Sequence, residues 1–284
     1  MASFFAVVVG VGFAVGLVYD NRTILYGAII FSIIMNIGSF WYSDKIALSL
    51  AGAQAIDTEH NVQHRQLERT LENLSITAGL PMPRLYIIED PAPNAFATGR
   101  DKNHAAIAVT SGLLNMMEQT ELEGVLAHEL GHVGNRDILL SSVVVVLIGF
   151  ISIISDIFLR SFAFGGNRDS ENRGANPLMI LGIIFIILSP IIATLIQLAI
   201  SRRREYLADT TGALMTRYPE GLASALEKIA GYGTPLKHAS NAIAHLYISN
   251  PFGAKARKGI AALFMTHPPI EDRIALLRGE GKDA

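Results

Sequence analysis

Apolar residues along this chain come in long unbroken runs more than in alternation. No Asp, Glu, Lys or Arg occurs in residues 1–19, 23–43, 138–155 or 174–201. Each run is close to the roughly 20 residues a helix needs to cross the hydrocarbon of a bilayer, at about 1.5 Å of rise per residue. The pattern predicts four transmembrane helices in two hairpins. Asp20, Asn21 and Arg22 turn the first, and the polar loop GGNRDSENRGANP at 165–177 joins the second. The third helix is the shortest, because Asp156 and Arg160 stand near its end. The first run lacks a basic leader and a small-residue cleavage site, so it reads as a retained helix, not a removed signal peptide. Gly12 and Gly16 are spaced as a helix-packing pair; lying with Gly10 in an uncharged helix that follows no strand, they make no phosphate loop. Pro190 reads as a kink that neighbouring helices tolerate.

Two polar segments remain, and they divide the chain. Residues 1–43 are the first membrane hairpin and 138–201 the second. Residues 44–137 and 202–284 are two parts of one catalytic-sized domain. With two hairpins, parity puts both polar segments on the side of the membrane that holds the N-terminus. Lys45, Arg136, Arg202, Arg203 and Arg204 flank the helices on that side; Arg22, Arg160, Arg168 and Arg173 flank them on the other. The bias points to a cytoplasmic domain and cytoplasmic termini in a multi-pass protein of the cell (inner) membrane. The run Arg202–Arg204 is its best single element.

Composition agrees. The chain has 284 residues, 50% hydrophobic and 17% charged, with a mean hydropathy of +0.37. That is too apolar and too charge-poor for an ordinary soluble enzyme of this size. A net charge of −2 suggests no nucleic-acid partner. There is no cysteine, which excludes disulfides and thiolate metal sites.

Within the polar segments the periods are shorter. Val62, Leu67, Leu71 and Leu74 trace a helical stripe that stops near Gly79, Pro81 and Pro83. RLYIIED (84–90) and AAIAVTSGLL (105–114) read as strands, with NAFATGR between them as a third, lightly substituted one. Thr120 and Glu123 in TELE form a capping box that opens a helix. That helix carries HELGH, residues 128–132.

His128 and His132 are four apart, so they project from one helical face, one turn apart. Two imidazoles so placed can share one zinc ion, and the intervening Glu129 is placed to take a proton from a water activated there. Gly131 and Gly134 are poor helix formers, by about 1 kcal/mol each, which points to something approaching the backbone closely. A catalytic zinc takes a third protein ligand and keeps one position open. RRREYLADTTGAL supplies Glu205 and Asp209 at the same spacing. Alone, that pair reads as a solvated face opposite its neighbouring arginines. Beside the histidine motif, Glu205 reads as the third ligand, and Asp209 as the carboxylate that orients a ligating histidine. His60, His64, His104, His238 and His245 have no comparable partners in the sequence.

Together, NAFATG at 94–99, HELGH at 128–132, REYLAD at 204–209 and MTHPPIEDRI at 265–274 resemble the HtpX-type integral-membrane zinc metalloproteases of the Ste24/OMA1-related zincin group. The resemblance covers nearly the whole chain. It implies an α-rich α+β, zincin-like metalloprotease domain on a four-transmembrane-helix base, with one Zn²⁺ per chain held by His128, His132 and Glu205. It implies that His267 and Arg273 help Glu129 by binding the tetrahedral intermediate. It implies that Asn94, Ala95, Phe96 and Ala97 form a substrate-binding edge strand, as β-augmentation by an extended peptide requires. The activity implied is that of an endopeptidase acting on misfolded or damaged membrane proteins and unfolded polypeptides at the lipid bilayer. The residues leave a second reading open, a non-catalytic membrane scaffold or channel with a structural metal. A structural zinc normally wants four closed protein ligands, and the sequence offers three. Oligomeric state is not encoded in any of these patterns.

Overall fold

The computed structural model describes residues 20–145, 201–237, 239–240, 242–253 and 268–280, with 5, 8–10, 12–13 and 16–17 before them. The fourth expected span up to residue 200, its loop, Pro190 and most of the third span lie outside the described residues; of the third, 138–145 are helical. The first turn is tight. Asp20 takes a left-handed φ of 48°, and the Asn21 side chain caps the next helix by accepting from the Thr23 N–H at 2.9 Å.

That helix, α1 (Arg22–Leu50), has two legs. Arg22–Gly38 and Phe40–Leu50 meet at 65°. The first leg exposes Tyr26, Ile30, Ile33, Ile34 and Ile37, whereas the second buries Ala47, Leu48 and Ala51. Among the described residues no single helix is long and apolar enough to cross a membrane; the two legs of α1 meet that requirement only as a bent pair.

Four strands follow: β1 (Gln54–Ala55), β2 (Arg84–Ile88), β3 (Ala95–Gly99) and β4 (Ala105–Thr110), in sheet order β1-β2-β4-β3. β2 runs parallel to β4, with Arg84 opposite Ala106; β1 and β3 are antiparallel to their neighbours. The sheet is covered on both faces. On one, Ile107 and Val109 pack with Leu67, Leu71 and Leu74 of α2 (Val62–Ala78) and with Leu126 and Leu130 of α4 (Gln119–Gly134). On the other, Phe96, Ala106 and Ala108 pack with the second leg of α1 and with Tyr247. A strand buried on both faces is apolar throughout, which is why AAIAVT carries no alternation.

Several boundaries differ from the sequence reading. α2 ends at a left-handed Gly79 (φ 63°) as expected, but Val62 at its start is exposed. β4 stops at Thr110, not at residue 114, because the Thr110 hydroxyl accepts from the Leu113 N–H at 3.1 Å and opens a short helix, α3 (Ser111–Met116). The capping box of α4 belongs to Glu118 and Glu121, not to Thr120 and Glu123. The Glu118 N–H donates to the Glu121 carboxylate at 2.8 Å, while Glu123 accepts from the Gln119 side chain instead. Glu121 also ties α4 to α6 (Pro219–Tyr232), accepting from Ser224 at 2.6 Å and Lys228 at 2.7 Å. Further helices are α5 (Arg202–Thr216) and α7 (Ile270–Leu277).

Candidate metal centre

The motif helix α4 and α5 lie unusually close, and glycine permits it. A Cβ on Gly131 would come within 3.1 Å of the Ala208 carbonyl, and one on Gly212 within 2.9 Å of the His128 nitrogen. The close approach expected from the sequence is therefore the backbone of α5, at Gly131. Gly134 meets only the Leu80 side chain at ordinary distance.

This contact carries Glu205 to the histidines. The Nε2 atoms of His128 and His132 are 3.2 Å apart. Glu205 Oε1 lies 3.6 Å from His132 Nε2, and its Oε2 3.9 Å from His128 Nε2. One donor atom from each of the three side chains falls within 4.8 Å of the others, so the group can hold one ion. Ligands at about 2.0–2.1 Å in a tetrahedron stand about 3.3–3.4 Å apart, close to the spacings found. Two imidazoles, one carboxylate and no thiol are a donor set that suits zinc. Both oxygens of Glu129 are buried with no side-chain hydrogen-bond partner among the described residues, and the Ala97 backbone N–H favours their charged form. A buried carboxyl left short of partners is costly, and it fits a site that takes up a water or substrate.

Each histidine has its own backing. His128 Nδ1 lies 2.9 Å from Asp209. Asp209 is gripped by Arg273, whose Nε and Nη2 donate at 2.8 and 2.6 Å. Arg273 is fully buried, donates also to the Ile248 carbonyl at 3.2 Å, and has Nη1 3.7 Å from Glu205. Arg273, expected to help bind the reaction intermediate, is engaged here by Asp209 and stands beside His128 and Glu205. His132 Nδ1 lies 3.1 Å from Asp137, which also meets Arg204 at 3.4 Å.

The backing sets the charges. Burial pulls the His128 imidazole down to about 4 against the opposing pull of Asp209. At His132 burial pulls the same way, but the Asp137 hydrogen bond and the charges of Glu205 and Glu129 outweigh it, lifting the ring to about 9. Burial raises the Glu129 carboxyl to about 7, with the Glu205 charge adding and the His132 charge subtracting. Burial would raise Asp209 too, but Arg273 and His128 hold it at about 2.

Other expected site residues are scattered. His267 and His238 lie outside the described residues. β3 is an edge strand by topology, yet all five of its residues are buried. The Ile248 N–H donates to the Ala95 carbonyl at 2.9 Å, and Asn94 donates to the Ser249 carbonyl at 3.0 Å. Phe96 faces away from the histidines, edge-on to Tyr247. The exposed edge expected from the sequence is thus covered over Asn94–Phe96 by the 244–249 segment. Ala97 alone of the four lines the small cavity beside His132 and Glu205. Two residues of that cavity were missed, Asp137 and His245. His245 is buried, its Nε2 3.1 Å from the Ser141 carbonyl. An acidic residue just past a helix that ends in a ligand was a readable signal for Asp137; nothing in the sequence pointed to His245.

Two imidazoles and one carboxylate converging beside a buried glutamate form a donor set that suits a hydrolytic zinc. Comparison with known proteins agrees. Residues 61–281 match the family model described as Peptidase family M48. The "Protease HtpX homolog" of Tropheryma whipplei (strain Twist) is 50% identical over 242 residues, 85% of this chain and 80% of that protein. The "Protease HtpX homolog" of Syntrophobacter fumaroxidans is 45% identical over 280 residues, 98% of this chain and 96% of that one. Among solved structures, S. mikatae Ste24p shares the fold, with a TM-score of 0.54 at 19% identity over 94% of this chain and 62% of that chain. This chain belongs to peptidase family M48, as the motifs led one to expect, and its cofactor is zinc.

Proposed function

We propose that the protein is a membrane-anchored endopeptidase in which His128, His132 and Glu205 hold the zinc and Glu129 is the general base. The observation that carries this reading is the convergence of three donors from two helices within 4.8 Å. Zinc, when bound, supplies a Lewis acid that polarises a water and the scissile carbonyl. Glu129, buried between the two histidines on the motif helix, would take a proton from a water held there and return one to the leaving amine. Asp209 and Asp137 hold the two rings through Nδ1, which leaves both Nε2 atoms facing Glu205. Arg273 acts through Asp209 as a positioning residue. His267 is assigned to the oxyanion on family resemblance alone. Substrate pairing is assigned to the Ala97 end of β3, because Asn94, Ala95 and Phe96 are engaged in the fold.

The membrane reading rests on the four uncharged runs and on the exposed apolar leg of α1. We assign residues 1–43 and 138–201 to a four-helix base in the inner membrane, with 44–137 and 202–284 forming the cytoplasmic catalytic domain. A cleft held at the bilayer surface reaches the loops and tails of damaged membrane proteins. The test is Glu129→Gln. It removes the proton acceptor and none of the three ligands, so zinc content stays at one per chain while casein cleavage disappears. Undiminished cleavage by this variant rules out the assigned base.

A further inference from the structure

We propose that the bend of α1 and the loop beneath it form a docking surface for the headgroups of an anionic phospholipid bilayer, built on Trp41, Tyr42, Lys45, Arg100 and Lys102. This rests on the membrane reading above and goes further, naming the surface and the charge of the lipid it meets.

α1 changes character within a few residues. Before the bend its exposed face is apolar, with Ile30, Ile33, Ile34 and Ile37 open and no charge from 23 to 43. Past the bend it leans on the sheet through Ala47, Leu48 and Ala51. Trp41 and Tyr42 sit at the change, both about half exposed. Ring systems with an apolar body and a polar edge favour the boundary between hydrocarbon and water.

Basic groups gather at that level from two separate parts of the chain. Lys45 lies over the Tyr42 ring at 5.2 Å. Arg100, from the turn after β3, stacks on Trp41 at 4.1 Å. Lys102 follows on the same turn, exposed. The carboxylates nearby are already engaged. Asp44 accepts from Arg84 at 2.6 Å; Asp101 is shared between His104 at 2.8 Å and Arg100 at 3.4 Å. Neither Lys45 nor Lys102 has a carboxylate partner among the described residues, so both are available to phosphate. An aromatic pair flanked by unpaired cations, directly after an apolar helical leg, matches the sequence of layers met on entering water from an anionic leaflet. The docking would fix how deep the catalytic domain sits, because Arg100 continues β3, whose Ala97 lines the cavity by the metal centre.

Trp41 is the protein's one tryptophan, so its emission reports this surface alone. Full-length protein is reconstituted into phosphatidylcholine–phosphatidylglycerol bilayers in which either lipid carries bromine, a contact quencher. The expected result is that brominated phosphatidylglycerol quenches Trp41 more than brominated phosphatidylcholine at equal mole fraction, corresponding to a several-fold preference for the anionic lipid, at about fivefold per basic group. In the Lys45→Gln/Lys102→Gln variant the preference falls to near one, while casein cleavage in detergent is unchanged and shows the variant folded. Equal quenching by the two lipids in wild-type protein, or a preference untouched by the double substitution, overturns the proposal. Alkaline carbonate extraction separates the two failures. Protein that stays in the membrane pellet without lipid preference loses only the docking surface; protein that is stripped into solution and unquenched by either lipid removes the membrane reading with it.

Discussion

The two ligating histidines sit on one helix, one turn apart, yet they are held in opposite ways. His128 lies at the inner end, fully buried, against a carboxylate that a buried arginine grips with two hydrogen bonds. His132 lies at the mouth, partly open, against Asp137 and the more exposed Arg204. Burial wins at the first, which is held neutral down to about 4. Surrounding carboxylates win at the second, which keeps its proton to about 9. One imidazole is ready to ligate and the other must give up a proton first. Geometry is anchored from behind, and proton exchange happens at the open side.

Breaking the inner anchor has the largest expected effect. Arg273→Met leaves Asp209 buried without its cation, and severing one partner of a buried pair costs about 3–5 kcal/mol. Thermal or denaturant unfolding of the metal-free protein checks this; a loss below about 1 kcal/mol would mean that His128 alone satisfies Asp209. Asp209→Asn keeps the shape and removes the charge behind His128, and should lower zinc affinity or activity about 10–100-fold. Asp137→Asn acts on the open side, where the amide oxygen and water can still accept from the His132 ring N–H, and should cost about tenfold. Equal losses in the two asparagine variants, measured by chelator competition, would erase the distinction between inner and outer histidine. The smallest effect is one of slope. Because His132 is raised and must lose its proton to bind, zinc affinity should climb with pH up to about 9, by no more than about tenfold per unit. A profile flat from pH 5 to 9 would show that His132 is not held protonated.

Much of this site could be read from the chain because its chemistry is local. His128, Glu129 and His132 occupy one pentapeptide, and Glu205 and Asp209 repeat the same one-turn spacing. The missing pieces depend on tertiary approach. Asp137 returns to His132 because Arg136 takes a left-handed φ of 63° at the helix break. His245 arrives because the 242–249 segment lies along β3, through Ile248 and Asn94. The grip of Arg273 on Asp209 also depends on tertiary approach, because sequence does not reveal which carboxylate a guanidinium meets. The fold behaved similarly. Helix α2 and its glycine stop follow from periodicity, whereas β1 is two residues long and shows no pattern. β4 was overrun because Thr110 caps a helix where the apolar run continues. The edge of β3 was read as open because its small residues suit a peptide, and they suit the covering segment equally well.

The central claim is that two imidazoles and one carboxylate from separate helices share a single zinc. X-ray absorption at the zinc edge of the loaded Glu129→Gln protein tests it most directly. The expected spectrum has a first shell of nitrogen and oxygen at about 2.0–2.1 Å containing two imidazoles, and zinc binding that weakens in Glu205→Ala. A first shell with three or more imidazoles, or zinc content and affinity untouched by Glu205→Ala, would contradict it.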